Sequence, residues 1–308
     1  MSSQSTPIAK ERLARAIQSL HGLSCGDAFG ERFFLHPKVA EALIAQRAVP
    51  SPPWRYTDDT VMAVAIVEIL EELAEIREQS LAETFARHYL VDPHRGYGPA
   101  MHGLLPELAN APSHWKQLSE ALFDGAGSFG NGSAMRVAPL GAYFADDPDA
   151  VFNQAIYSSA VTHAHPEAVA GAVAVALAAA LAVEHKASSI TPADFLRRVS
   201  QRTPSSEVQL GIERALALPS DTPVNKAVAV LGNGARVSAQ DTVPFCLWAA
   251  AHHLDDYQDA LWTTVSGLGD RDTTCAIVGG IVAMSAGFES IPKSWIDSRE
   301  PIPAWFVT

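Results

Sequence analysis

Charge is scarce in this chain, and positive charge is the scarcer sign. Asp, Glu, Lys and Arg make up 18% of 308 residues, with 22 basic side chains against 34 acidic ones. The formal net charge of -12 and the lack of any basic run exclude a general binder of nucleic acid or of anionic membrane, because phosphate-rich surfaces repel an acidic protein. The same scarcity excludes a disordered chain, since 48% of the residues are apolar and demand burial.

Cysteine is equally sparse. Cys25, Cys246 and Cys275 stand far apart beside apolar stretches, a spacing that fits neither a disulfide framework nor a zinc site. They read as buried, reduced thiols. The first twenty residues, MSSQSTPIAKERLARAIQSL, lack the unbroken apolar core of a secretory signal, so a cytoplasmic protein is expected. Residues 168–183 are all apolar or Gly, but this Ala-dominated run is short for a membrane span, so a buried helix and no membrane association are expected.

Strand-like alternation is also missing. Helical periodicity recurs at residues 8–23, 60–76, 119–123, 150–160, 166–185 and 273–287. Capping chemistry marks helix starts at Thr57-Asp58-Asp59, at Thr191-Pro192-Ala193-Asp194 and from Asp270 to Thr273. Stretches with Gly at 96–98, 125–132 and 232–234 interrupt the helices without forming a linker. The expectation is an all-α fold, a compact single-domain orthogonal helical bundle over residues 1–308, taken as a monomer.

Two of these helix starts carry more acid than a cap needs. Tyr56-Thr57-Asp58-Asp59-Thr60 precedes one apolar helix, and Asp270, Asp272 and Thr273 open another more than two hundred residues later. Either alone is accounted for by capping and by the helix dipole. If both converge, four carboxylates share one pocket, and their repulsion raises their pKa values unless divalent cations neutralise them. Carboxylate and hydroxyl oxygens suit Mg²⁺ or Mn²⁺ rather than zinc, and a pair of such ions can orient and activate water.

Other candidates surround this pair. In Gly125 to Ser133 the Gly content either lets backbone N–H groups approach a phosphate or makes a plain flexible loop. Phe129 is available to stack on a purine, or to sit in the core, and Arg136 to pair with a carboxylate or steady the loop. His163 and His165 stand at the entry of the Ala-rich helix, where capping or ligand contact is preferred to zinc. The string Gly26-Asp27-Ala28-Phe29-Gly30-Glu31 reads as the end of the first helix, with Asp27 bracing a neighbouring helix mouth and Glu31 in a mobile loop.

In order along the chain, GDAFG, YTDDT, DPHRGYG, GSFGNGSAMR, THAHPEA, LGNG and GDRDTT resemble the ADP-ribosylglycohydrolase family over roughly residues 20–291. The resemblance implies an all-α fold with a binuclear metal cleft holding two Mg²⁺, with Mn²⁺ as a substitute. Thr57, Asp58, Asp59, Asp270, Asp272 and Thr273 match its metal-ligand motifs, and Asp58, Asp59 and Asp272 its catalytic centre. It also implies that Ser128, Phe129, Gly130, Asn131 and Gly132 line an ADP-ribose site, that His163 contacts the ligand, and that a turn with Gly234 and Ala235 closes one side.

Two departures stand out. Relatives carry a flap glutamate beyond the GDAxG string where this chain has Phe33 and Phe34, which leaves Glu31 as a displaced substitute. Arg271 stands where Thr is common between the two aspartates, and Leu268 where Gly is frequent. The expected activity is Mg²⁺-dependent hydrolysis between ADP-ribose and an acceptor: a protein side chain, a small O-acyl ADP-ribose or a nucleic-acid end. An inactive ADP-ribose binder and a fold-only structural protein are the alternatives.

Overall fold

Three glycines four residues apart set the geometry of this protein. In the computed structural model, which describes residues 7–303, the helix α1 (Pro7–Glu31) carries Gly22, Gly26 and Gly30 on one face. That face runs antiparallel along a helix near the C-terminus. A Cβ on Gly22 would lie 2.4 Å from the carbonyl oxygen of Gly279, one on Gly26 2.1 Å from that of Cys275, and one on Gly30 2.1 Å from that of Arg271. Backbones this close tolerate no side chain between them. The GDAFG string lies at the end of the first helix, as expected, but its glycines do not make a tight turn. It continues the helix to Glu31 and serves helix–helix contact.

The remaining α-helices follow in order: α2 (Pro37–Ala45), α3 (Asp58–Leu73), α4 (Glu78–Val91), α5 (Met101–Asn110), α6 (Trp115–Gly125), α7 (Ala138–Tyr143) and α8 (Pro148–Ala160). Then come α9 (Pro166–Ser188), α10 (Pro192–Arg202), α11 (Glu207–Ala217), α12 (Val224–Leu231), α13 (Ala239–His252), α14 (Tyr257–Ser266), α15 (Arg271–Ala286) and α16 (Lys293–Ser298). Among the described residues the backbone pairs laterally only at two isolated bridges, Trp54–Arg299 and Gly130–Ser238. The fold is all-α.

Helices occupy the expected stretches, with a break at Leu122 to Asp124, and two of the three expected caps form, whereas Asp270 at the start of α15 makes no side-chain cap hydrogen bond. Thr57 accepts from the Asp59 N–H at the start of α3, and Thr191 from the Asp194 N–H at the start of α10. The Ala-rich run forms α9, which is long and apolar enough to cross a membrane by length and composition, yet 67% of its most apolar window is buried inside the protein. Its small residues allow close neighbours: a Cβ on Gly141 of α7 would lie 2.1 Å from the Ala176 carbonyl oxygen.

Buried apolar side chains form one continuous cluster from Ala16 to Ile302. An aromatic knot closes the end of α1. Phe29 stacks on Trp295 at 4.6 Å, meets Trp262 edge-on at 5.0 Å and packs on Phe33 at 5.0 Å. Such packing fixes where α1 stops and where the segment before α3 begins.

Candidate active site

Because α1 is antiparallel to α15, its C-terminal end reaches the first turn of α15. One residue of α1 also reaches the first turn of α3. Asp27 is fully buried and accepts from the Thr57 N–H at 2.9 Å, from Thr57 Oγ1 at 2.9 Å, from the Thr60 N–H at 3.1 Å and from Thr60 Oγ1 at 2.5 Å. The carboxylate thus gathers donors that the helix start leaves unpaired. Burial still lifts Asp27 to about 6, against the pull of those hydrogen bonds.

The other side of the α3 mouth is held by the loop after α4. The Asp58 N–H donates to the Arg95 carbonyl at 2.7 Å, and Arg95 is itself bound by Asp92 and Glu300 and lies 4.7 Å over the Tyr56 ring. Gly96, with φ +91, passes so close that a Cβ there would lie 3.4 Å from Asp58 Oδ1.

At the mouth of α15, Asp270 accepts from Asn131 Nδ2 at 2.7 Å, and the same amide donates to Thr242 Oγ1 at 3.1 Å. The Gly-rich loop is thereby tied to the acidic centre. Gly234, with φ +84, abuts Asp270, whose Cβ would lie 2.6 Å from a Cβ built on the glycine. Leu268 adopts a left-handed φ of +57, a conformation that costs about 1 kcal/mol for a residue with a Cβ.

The two mouths meet. Asp58, Asp59, Asp270, Asp272 and Thr273 line one cavity of about 680 Å³ together with Ser128 to Gly132 and His163. Burial raises Asp58 to about 8, with Asp27 adding to the effect, and lifts Asp59 and Asp272 well above the carboxylate range, with neighbouring aspartates adding to both. Asp270 is raised by burial and restrained by the Asn131 hydrogen bond. Asp59 Oδ1 is buried with no hydrogen-bond partner.

Among the described residues no three acid, histidine or cysteine side chains stand close enough together to hold an ion as they are. The shared cavity and the mutual elevation of four acids place them within electrostatic reach of one another. An orphaned carboxylate oxygen in an all-oxygen donor set fits a hard divalent cation, so these residues suit Mg²⁺ or Mn²⁺.

Around this centre the cavity wall is less polar. Met62, Met101 and Met135 line it with Gly96 and Gly98, and Phe129, 42% exposed, stands at the rim with Phe123. Phe129 meets Phe123 at 6.2 Å and His165 at 5.6 Å. His165 caps α9, its Nδ1 accepting from the Glu167 N–H at 3.1 Å, while His163 faces the cavity and is pushed down to about 3 by burial and by the charge of Arg136. Arg136 is fully buried and pairs with no carboxylate directly, but its charge favours ionised Asp58.

Not every expected residue reaches the cavity. Glu31 ends α1 rather than sitting in a loop, and it is half-buried near Asp270, outside the lining. Phe33, at the expected flap position, is buried in the aromatic knot. Thr57 stands behind Asp59, its hydroxyl shared between Asp27 and Asp59. Ala235 lines a second cavity, of about 710 Å³, which shares Phe129 and Arg236 with the first.

Gly96, Gly98 to Met101, Phe123 and Arg236 were missed as lining. Gly96 and Gly98 belong to the DPHRGYG string and Pro99 to Met101 follow it, and none of them carries an acid or nucleophile to announce the cavity. Phe123 breaks from the helical periodicity read there, because Phe123 and Asp124 take φ +53 and +58 inside α6.

Sequence and structure comparisons point one way. The profile of the ADP-ribosylglycohydrolase family matches residues 9–306. The chain is 30% identical to the ADP-ribosylhydrolase ARH3 of Gallus gallus over 273 residues, covering 80% of this chain and 74% of that protein. It is 28% identical to the ADP-ribosylhydrolase ARH3 of Homo sapiens, covering 95% and 91%. A solved structure titled ADP-ribosylglycohydrolase-related protein complex superposes with a TM-score of 0.61 over 94% of each chain at 24% identity, a likeness of fold.

Proposed function

The chain belongs to the ADP-ribosylglycohydrolase family, and from that membership we propose that it cleaves the glycosidic bond between the distal ribose of an ADP-ribosyl group and its acceptor with the aid of two Mg²⁺ ions. That the chain is an ADP-ribosyl glycohydrolase follows from the family and from its ARH3-like relatives. The metal, the residues and the acceptor are our reading.

One observation carries it: four carboxylates from two distant helix starts line the same cavity as the Gly-rich loop. Asp58, Asp59, Asp270, Asp272 and Thr273 would hold the metals, with Thr57 braced behind them. Bound there, Mg²⁺ supplies charge neutralisation and Lewis acidity to water and to ribose oxygens.

The protein's own part is binding and orientation. Gly130 and Gly132, which have no side chains, let backbone N–H groups approach the diphosphate on either side of Asn131, whose amide is held by Asp270. Phe129 offers an exposed ring face to the purine. The negative charge of the lining carboxylates favours the oxocarbenium-like charge that develops at the anomeric carbon of the reacting ribose. The wall formed by Met62, Met101 and Met135 limits the water that reaches it.

The test is a panel of substrates bearing ADP-ribose on arginine, on serine, on a small O-acyl group and on a nucleic-acid end, each assayed with Mg²⁺ and with chelator. Release of free ADP-ribose from at least one, lost on chelation, is expected. Release that is insensitive to chelation would overturn the metal reading.

A further inference from the structure

Beneath the Gly-rich loop, three side chains form a directed hydrogen-bond chain. The buried Arg136 guanidinium lies 4.3 Å over the Phe85 ring, and its Nη2 donates to the Ser158 carbonyl and to Thr162 Oγ1, each at 2.9 Å. Thr162 Oγ1 in turn lies 2.7 Å from Nδ1 of His163. Both Arg136 and Thr162 are fully shielded from solvent.

Arginine has donors only, so Thr162 Oγ1 must accept from it, and the single threonine proton must go elsewhere. Nδ1 of His163 is the acceptor that the described residues place within reach. The reverse arrangement, with Nδ1–H donating to Thr162, would leave the threonine proton without a partner in a sealed site, which folded proteins avoid. A neutral imidazole carries one N–H, so its proton then resides on Nε2. Burial and the Arg136 charge keep the ring neutral.

Nε2 is the atom that looks toward the loop. A Cβ on Gly132 would lie 2.8 Å from it and one on Gly130 3.2 Å, and among the described residues no protein hydrogen bond engages it. We propose that Thr162 is a positioning residue that, with Arg136 behind it, fixes His163 as the Nε2–H tautomer and so presents a neutral donor to the diphosphate of ADP-ribose across the Gly130–Gly132 turn. The diphosphate part rests on the reading of that turn given above; the tautomer does not.

The test uses the full chain labelled with ¹⁵N-histidine, as wild type, Thr162→Val and Thr162→Ser. Wild type and the serine variant are expected to show a non-protonated Nδ1 and a protonated Nε2 for His163, and the valine variant to lose that signature. Calorimetry with ADP-ribose is expected to give about tenfold weaker binding for valine, as for a lost hydrogen bond to an anion, with recovery in serine. In turnover the loss should fall on KM more than on kcat. A protonated Nδ1 in wild type would overturn the tautomer, and unchanged affinity in Thr162→Val would overturn the donor role. A wild-type protein that binds no ADP-ribose would instead sink the functional reading and leave the tautomer to be decided by its resonances.

Discussion

Gly26 of α1 and Cys275 of α15 approach so closely that a Cβ on the glycine would lie 2.1 Å from the cysteine carbonyl oxygen. The obstacle is backbone, which cannot rotate aside. Gly26→Ala should therefore push α1 away from α15 and cost about 1–3 kcal/mol of stability, the usual penalty of overpacking a core. Urea unfolding measures it. Activity should fall further than stability explains, because the same contact brings Asp27 and the α15 mouth together. A Gly26→Ala protein with wild-type midpoint and turnover would show that the close approach has no such role.

Asp27 supports the second prediction. It accepts from both Thr57 and Thr60 while sitting wholly buried. Asp27→Asn keeps the shape but turns one acceptor oxygen into an amide that faces donors. The expected loss is on the order of 1.5–3 kcal/mol, the scale of a hydrogen bond to a charged group, read from thermal unfolding. An unchanged Tm would mean that the α3 mouth does not depend on this brace.

How much of this was legible beforehand depends on what the residues had to do. The acids of YTDDT and GDRDTT announced themselves, because paired carboxylates before an apolar helix exceed the needs of a cap. Asp27 as a brace was also readable. The function of Gly26 and Gly30 was not, since a glycine that permits a turn and one that permits a helix contact look alike until the partner helix is known. Glu31 was misplaced into a loop for the same reason, and Phe33 belongs to an aromatic knot whose members Trp54, Trp262 and Trp295 are spread along the chain.

The acidic cavity gives stability a distinct pH dependence in metal-free protein. Asp58, at about 8 when folded, holds a proton that the unfolded chain releases near pH 4. The folded state is favoured by that proton below the unfolded value, and the contribution is lost as pH rises through about 8. His21 and His163, at about 4 and 3 because of burial, act oppositely: their contribution is present above the unfolded histidine value and is lost as pH falls. Thermal scans with chelator should show Tm declining from pH 6 to pH 8. Mg²⁺ at about 100 times its Kd should restore about 2.7 kcal/mol, with the larger gain at pH 8. Equal Tm with and without Mg²⁺ at pH 8 would argue against a cation in the cavity.

Asp272 separates catalysis from folding. Asp272→Asn removes one of the mutually repelling carboxylates, so the metal-free protein should gain stability or hold it while ADP-ribose release falls by more than about a hundredfold, beyond what a change behind the ligands produces. Circular dichroism and product analysis measure the two sides. Loss of both fold and turnover would make Asp272 structural instead.

Three glycines of the cavity wall give a graded steric test of where the ligand lies. A Cβ on Gly132 would meet Cε1 and Nε2 of His163 at 2.8 Å, one on Gly130 would meet Nε2 at 3.2 Å, and one on Gly98 would meet nothing within 4 Å. None of the three has the left-handed φ that would strain an alanine, so space alone differs among them. His163 has little room to give, because the ring is buried and held at Nδ1 by Thr162. Gly132→Ala should displace the imidazole and weaken ADP-ribose binding most, on the order of tenfold for one lost hydrogen bond of about 1.4 kcal/mol. Gly130→Ala should cost less, and Gly98→Ala should leave the unfolding free energy within about 0.5 kcal/mol of wild type. If Gly98→Ala instead weakens ADP-ribose binding more than Gly132→Ala does, the diphosphate lies against the wall formed by Gly96 and Gly98 to Met101, and the Gly130–Gly132 turn is not its cradle.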